Sequence, residues 1–112
     1  MMDTEHARQL LARERERIES AIAALDEQGE QATAERDEPG EMGSEELYEK
    51  ERDIGLSEDL AAQLAAIERA EARLAAGTYG LSIENGEPIP DARLEALPTA
   101  ERTLKQQQAT DG

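Results

Sequence analysis

Cysteine, phenylalanine and tryptophan are all absent from this 112-residue chain, and two tyrosines supply its aromatic content of 2%. Without cysteine the chain forms no disulfide and offers no thiolate to a metal. With so few large apolar side chains it cannot build a conventional globular core around aromatic residues. Charged residues reach 35%, and Ala, Glu, Leu, Gln and Arg dominate. This composition is typical of long helices that bury a narrow apolar seam.

Basic residues are also scarce, since 12 Lys and Arg face 27 Asp and Glu for a formal net charge of −15. Nucleic acids and anionic membranes attract positive protein surfaces, so we expect neither direct sequence-specific DNA binding nor membrane binding. The charge instead favours a basic protein surface or a cation as partner. Because no long apolar run opens the sequence, we expect no signal peptide, no transmembrane helix and a cytoplasmic location.

Apolar residues recur every seven positions along two segments. The recurring residues are Leu11, Ile18 and Leu25 in the first segment and Leu60, Ile67 and Leu74 in the second. These heptads predict helices over residues 4–33 and 44–75, although Glu71 interrupts the second seam and the pattern slips near Gly55. Pro39 ends helical continuity between them. We therefore expect an antiparallel coiled-coil hairpin, monomeric because its two seams cover each other.

The remaining third of the chain has shorter elements. We expect a short strand through Leu81 and Ile83, followed by a turn at Asn85-Gly86. A short helix is expected over residues 91–97, with Leu94 and Leu97 both facing inward. Thr99 is expected to cap a last helix that runs through Gln108.

Several motifs of this region together resemble the base of the DksA/TraR family of regulators. They are Gly77-Thr78-Tyr79-Gly80, Gly86-Glu87-Pro88-Ile89-Pro90 and Arg93-Leu94-Glu95-Ala96-Leu97-Pro98-Thr99-Ala100, while Gly43 to Leu56 resembles the second hairpin arm. The resemblance covers about residues 38 to 108. It implies a mainly α fold, with a long helical hairpin over residues 1–75 whose tip is at 37–43. Residues 76–112 would form a small degenerate zinc-finger-like base and a short C-terminal helix.

Common members of that family hold zinc with four cysteines in the base. The matching positions here are Ser82, Asn85, Thr103 and Gln106. None of these side chains is the thiolate or imidazole that structural zinc prefers. We therefore expect no metal and no cofactor, and we expect the four side chains to hydrogen-bond to one another. The base must then be held by packing on the root of the hairpin. The single histidine, His6, is expected to be a solvated surface residue.

The resemblance also implies a mechanism, in which the protein binds RNA polymerase and the hairpin enters its secondary channel. The usual acidic tip pattern, Asp-x-x-Asp-x-Ala, matches Glu38, Glu41 and Gly43, and a slipped match brings in Asp37. Apart from the resemblance, residues 35–53 carry nine acidic against three basic side chains, a local charge of −6. Such a segment is attracted to a basic channel or to Mg²⁺.

The function predicted from the sequence is thus regulation of transcription through RNA polymerase. The alternative is a structural or protein-interaction hairpin that keeps the fold without controlling polymerase, because both the tip and the zinc ligands differ from the family pattern. An enzyme is not expected, since the sequence has no nucleophile–base set and no nucleotide-binding loop.

Overall fold

The structure is a computed structural model that describes the backbone of residues 2–34 and 44–111. It is mainly α, as predicted. The helices are α1 (Thr4–Ala34), α2 (Ser44–Ala76), α3 (Asp91–Ala96) and α4 (Leu104–Asp111). The sequence-based bounds of the two long helices are confirmed to within one residue. Gly55 lies inside α2 without ending it.

The chain divides into two compact units. The base unit comprises Met1–Arg15 and Ala65–Gly112, and the arm unit comprises Glu16–Leu64. The segment boundary expected at residues 75 and 76 stays a prediction.

The core of the base unit combines the helix ends with the irregular segment that follows them. Its buried members are Ala7 and Leu11 of α1, Ala70 of α2, and Tyr79, Ile89, Leu94 and Ala100 beyond α2. Met2 and Leu74 pack against this cluster. The expectation that the base is held by packing on the root of the hairpin is confirmed, because one apolar cluster includes residues from both.

Glu71, which interrupts the apolar seam of α2, has a partner within the base unit. The guanidinium of Arg15 donates to both of its carboxylate oxygens, from Nη2 at 2.6 Å and from Nε at 3.2 Å. Ile67, one turn earlier, is fully buried. The seam therefore continues through Glu71 as a bidentate ion pair rather than as an apolar contact.

In the arm unit, the predicted heptad positions Ile18 and Leu60 are buried. Arg17 Nη2 donates to Gln63 Oε1 at 3.3 Å, so side chains of α1 and α2 also meet through a polar contact. Ile54 and Leu56, on either side of Gly55, are 51% and 44% exposed. These two apolar side chains, which lie where the sequence pattern slips in phase, are therefore largely exposed.

The predicted strand through Leu81 and Ile83 is wrong. In the described residues the only strand-like pairing is an isolated antiparallel bridge between Leu81 and Pro88. Ile83 is 50% exposed, and its N–H donates to the carbonyl of Glu101 at 2.9 Å. The turn at Asn85-Gly86 is confirmed, since the Gly86 N–H donates to the Ser82 carbonyl at 2.9 Å and Gly86 adopts a φ of +74°.

Two further expectations for the base are corrected. Leu94 is buried as predicted, but Leu97 is 45% exposed. The last helix begins at Leu104 rather than near Thr99. Residues before Leu104 use their carbonyls elsewhere, because Glu101 accepts from Ile83 N–H and Arg102 accepts from Arg93 Nε at 2.9 Å. A helix starting at Thr99 would need those carbonyls for its own ladder.

Candidate functional site

The hairpin tip is the first site predicted from the sequence. Its residues, Asp37, Glu38, Glu41 and Gly43, lie outside the described residues. The role of the tip in binding polymerase therefore stays a prediction.

The second site consists of the four positions that match zinc ligands, which the structure brings together as a polar cluster. Ser82 Oγ donates to Gln106 Oε1 at 2.6 Å, and Gln106 Nε2 donates to Asn85 Oδ1 at 3.0 Å. Gln106 also forms hydrogen bonds with Thr103. The expected hydrogen bonding among these four residues is confirmed, and we call them the polar cluster.

Thr103 and Gln106 form a reciprocal cap at the start of α4. The Gln106 N–H donates to Thr103 Oγ1 at 3.2 Å, and the Thr103 N–H donates to Gln106 Oε1 at 3.0 Å. This is a capping box, in which a Thr at the N-cap and a Gln three residues later satisfy each other's free backbone donors. The cap explains why α4 begins at Leu104.

Ser82 and Asn85 stabilise the turn on the other side of the cluster. Ser82 Oγ accepts from the N–H of Glu84 at 3.2 Å, and Asn85 Oδ1 accepts from the N–H of Glu87 at 3.1 Å. Ser82 is 4% exposed, so its hydroxyl needs these partners. Each half of the cluster thus orders its own backbone segment, and Gln106 joins the two halves.

The polar cluster does not fit zinc. It offers hydroxyl and amide groups, whereas structural zinc sites use thiolates and imidazoles. Its two amide oxygens, Gln106 Oε1 and Asn85 Oδ1, each already accept two hydrogen bonds. The side chains therefore satisfy one another in place of a metal.

Glu101 forms ion pairs with two arginines of α2 within the base unit. Its carboxylate lies 3.0 Å from Arg69 Nη2 and 3.2 Å from Arg73 Nη1. The hydrogen bond from Arg69 is the largest cause that lowers the pKa of Glu101, and the positive charges of Arg69, Arg73 and Arg102 lower it further, while partial burial opposes them. The carboxylate is therefore ionised at neutral pH and anchors the segment before α4 to α2.

Two side chains near α3 take structural roles. His6, expected to be only solvated, pairs through Nε2 with Glu95 Oε1. Arg93 bonds to the Arg102 carbonyl through Nε. No local pattern indicates the pair of His6 and Glu95, because its members are 89 residues apart.

In the described part of the chain, no group of three or more His, Cys, Asp or Glu side chains converges as a metal site. None of the helices in that part is long and apolar enough to cross a bilayer.

Comparison with known proteins yields two informative matches. No family model matches the sequence. The uncharacterized protein YteA from Bacillus subtilis (strain 168) is 47% identical over 55 residues, which is 49% of this chain. The chain spans 23% of the length of that relative. The structure of transcription factor DksA2 from Pseudomonas aeruginosa matches with a TM-score of 0.81 and 29% identity, over 96% of this chain and 82% of that one.

The chain is DksA/TraR-like. The likeness extends over both long helices and the base, since the structural match covers 96% of the residues. Within this DksA/TraR-like fold, the polar cluster takes the place that the resemblance assigns to four cysteines.

Proposed function

We propose that this protein is a transcription regulator that binds RNA polymerase and inserts its acidic hairpin tip into the secondary channel. The observation that carries the proposal is the likeness to a transcription factor over 96% of the chain, at a TM-score of 0.81. A likeness over 96% of the chain supports the proposal because it includes both the base and most of the two long helices that would carry the tip.

The charge of the chain supports binding to a protein rather than to DNA. A net charge of −15 repels the phosphate backbone. The local charge of −6 over residues 35–53 suits a positively charged channel, because the electrostatic field of such a channel attracts carboxylates.

The test compares the wild-type chain with the double variant Glu38→Ala/Glu41→Ala. Each is mixed with purified RNA polymerase core and then assayed for transcription initiation with holoenzyme. We expect both to bind polymerase, because the rest of the fold is unchanged, and only the wild type to alter initiation.

A matched control removes two acids elsewhere on the helices. Glu16 and Glu58 are exposed, so Glu16→Ala/Glu58→Ala changes the net charge equally without touching the tip. This control should act like the wild type. If the control loses the effect as the tip variant does, net charge rather than the tip is responsible. If the wild-type chain does not bind polymerase, the protein is an interaction hairpin of the same fold with another protein partner.

A further inference from the structure

Asn85 is the only asparagine of the chain, and Gly86 follows it. In an Asn-Gly pair the glycine N–H has no side chain beside it, so its nitrogen can approach the asparagine side chain closely. Attack by Gly86 N on Asn85 Cγ forms an N–Cγ bond and breaks the Cγ–Nδ2 bond. Gly86 N gives up its proton to solvent, Nδ2 takes one up from solvent, and Nδ2 leaves as ammonia. Water then opens the resulting succinimide to aspartate or isoaspartate.

The structure holds both reacting groups in place. The nucleophile, Gly86 N, donates its hydrogen to the Ser82 carbonyl at 2.9 Å. The side chain that must rotate is fixed through Asn85 Oδ1, which accepts from Glu87 N–H at 3.1 Å and from Gln106 Nε2 at 3.0 Å. Ring closure requires these bonds to break or to distort, because Cγ has to move onto Gly86 N.

The folded structure nevertheless does not block access of water to Asn85 or the departure of its side-chain nitrogen. Asn85 is exposed, so solvent reaches its side chain. In the described part of the chain, Asn85 Nδ2 has no hydrogen-bond partner, and its departure as ammonia is not resisted. Protection against ring closure therefore comes from the hydrogen bonds of Asn85 Oδ1 and of Gly86 N.

We propose that Asn85-Gly86 is a deamidation site whose succinimide step is slowed by the polar cluster, so that loosening of the base exposes the chain to modification. Isoaspartate is the damaging product, because it inserts an extra backbone atom into the turn closed by Gly86 and Ser82. Aspartate adds one negative charge beside Glu84 and Glu87 but leaves the backbone path unchanged.

The test follows the intact mass of the full chain during incubation in mildly alkaline buffer, where the amide nitrogen is most reactive. Replacement of the Asn85 amide by a carboxyl gives a small mass gain, and a protein isoaspartyl methyltransferase detects isoaspartate. We expect the folded wild type to react more slowly than the same chain in urea. Asn85→Gln should abolish the fast gain, because a six-membered ring closes far less readily.

The variant Gln106→Glu isolates the protective bond. A carboxylate keeps an acceptor for Ser82 Oγ and Thr103 N–H but loses the donor to Asn85 Oδ1. We expect deamidation to be about fivefold faster than in the wild type, the factor in rate that corresponds to the loss of one hydrogen bond. Gln108→Glu, with the same charge change at an exposed position of α4, should react at the wild-type rate.

Three results would overturn the proposal. If the chain in urea shows no mass gain, Asn85 is not a deamidation site. If Gln106→Glu reacts at the wild-type rate while folded, the polar cluster gives no protection. Should that variant fail to fold, a urea series on the wild type decides, because the rate must rise with the unfolded fraction and a flat profile contradicts the proposal.

Discussion

Leu94 is a fully buried side chain in the core of the base unit, and Leu97, three residues later and exposed, provides a matched comparison. Leu94 is 1% exposed and belongs to the apolar cluster of the base unit, whereas Leu97 is 45% exposed. Replacing a fully buried leucine by alanine removes its transfer free energy and leaves a cavity, which together cost about 2–5 kcal/mol. The same change at Leu97 should cost about 1 kcal/mol or less.

The two variants are compared with the wild type by urea and thermal unfolding, monitored by circular dichroism. We expect Leu94→Ala to lower the midpoint of thermal unfolding by roughly 10 °C or more and Leu97→Ala to change it only slightly. Native-state hydrogen exchange should place the loss of protection in the base unit. Equal destabilisation by the two variants would refute the reasoning, because it would mean that burial in this core does not determine stability.

Three other predictions concern individual contacts of the base unit. Because folding lowers the pKa of Glu101 below its ordinary 4.5, its contribution is fully present above that value and is lost as the pH falls through the folded pKa. Acid unfolding should therefore begin at lower pH for the wild type than for Glu101→Gln. Tyr79→Phe should cost about 1 kcal/mol in urea unfolding, since the buried hydroxyl donates to the Pro98 carbonyl at 2.7 Å. A chelator should leave the thermal midpoint unchanged, and a fall on adding it would show a structural metal.

The long helices were predictable because their signal is local and repeated. Leu11 and Ile18, or Leu60 and Ile67, stand seven residues apart, and a helix brings such positions to one face. All four are buried. Even the interruption at Glu71 was visible in the sequence, although its pairing with Arg15 was not, because those residues are 56 positions apart.

The short helices were less predictable because each is too short for apolar residues to recur at helical spacing and so define a buried face. Leu97 was expected to be buried because it follows Leu94 by three residues. It is, however, the C-cap of α3, with a φ of −141° and a ψ of 87°. Helical spacing does not apply to a residue whose backbone has already left the helix, so its side chain points elsewhere and is 45% exposed.

The start of α4 is indicated by a local sequence signal, the capping box. A capping box needs Glu or Gln three residues after its Ser or Thr. Thr99 is followed at that distance by Arg102, whereas Thr103 is followed by Gln106. The pattern Thr-x-x-Gln therefore favours Thr103 as the cap, at the same two positions that match zinc ligands in the DksA/TraR-like pattern.

The spacing of three residues between Thr103 and Gln106 also explains how the base can hold its local backbone conformation without cysteines. A pair of zinc ligands spaced Cys-x-x-Cys and a capping box both bring residue i close to residue i+3. Thr103 and Gln106 keep that spacing and close it with two hydrogen bonds. Ser82 and Asn85 keep it too, and the turn between them is held by hydrogen bonds from the Glu84 N–H to Ser82 Oγ and from the Gly86 N–H to the Ser82 carbonyl. Gln106 then joins the halves where a metal would, because its Oε1 accepts from Ser82 Oγ and its Nε2 donates to Asn85 Oδ1. Since each hydrogen bond contributes about 1 kcal/mol and a structural zinc on the order of 10 kcal/mol, the polar cluster fixes geometry while the apolar core around Leu94 supplies stability.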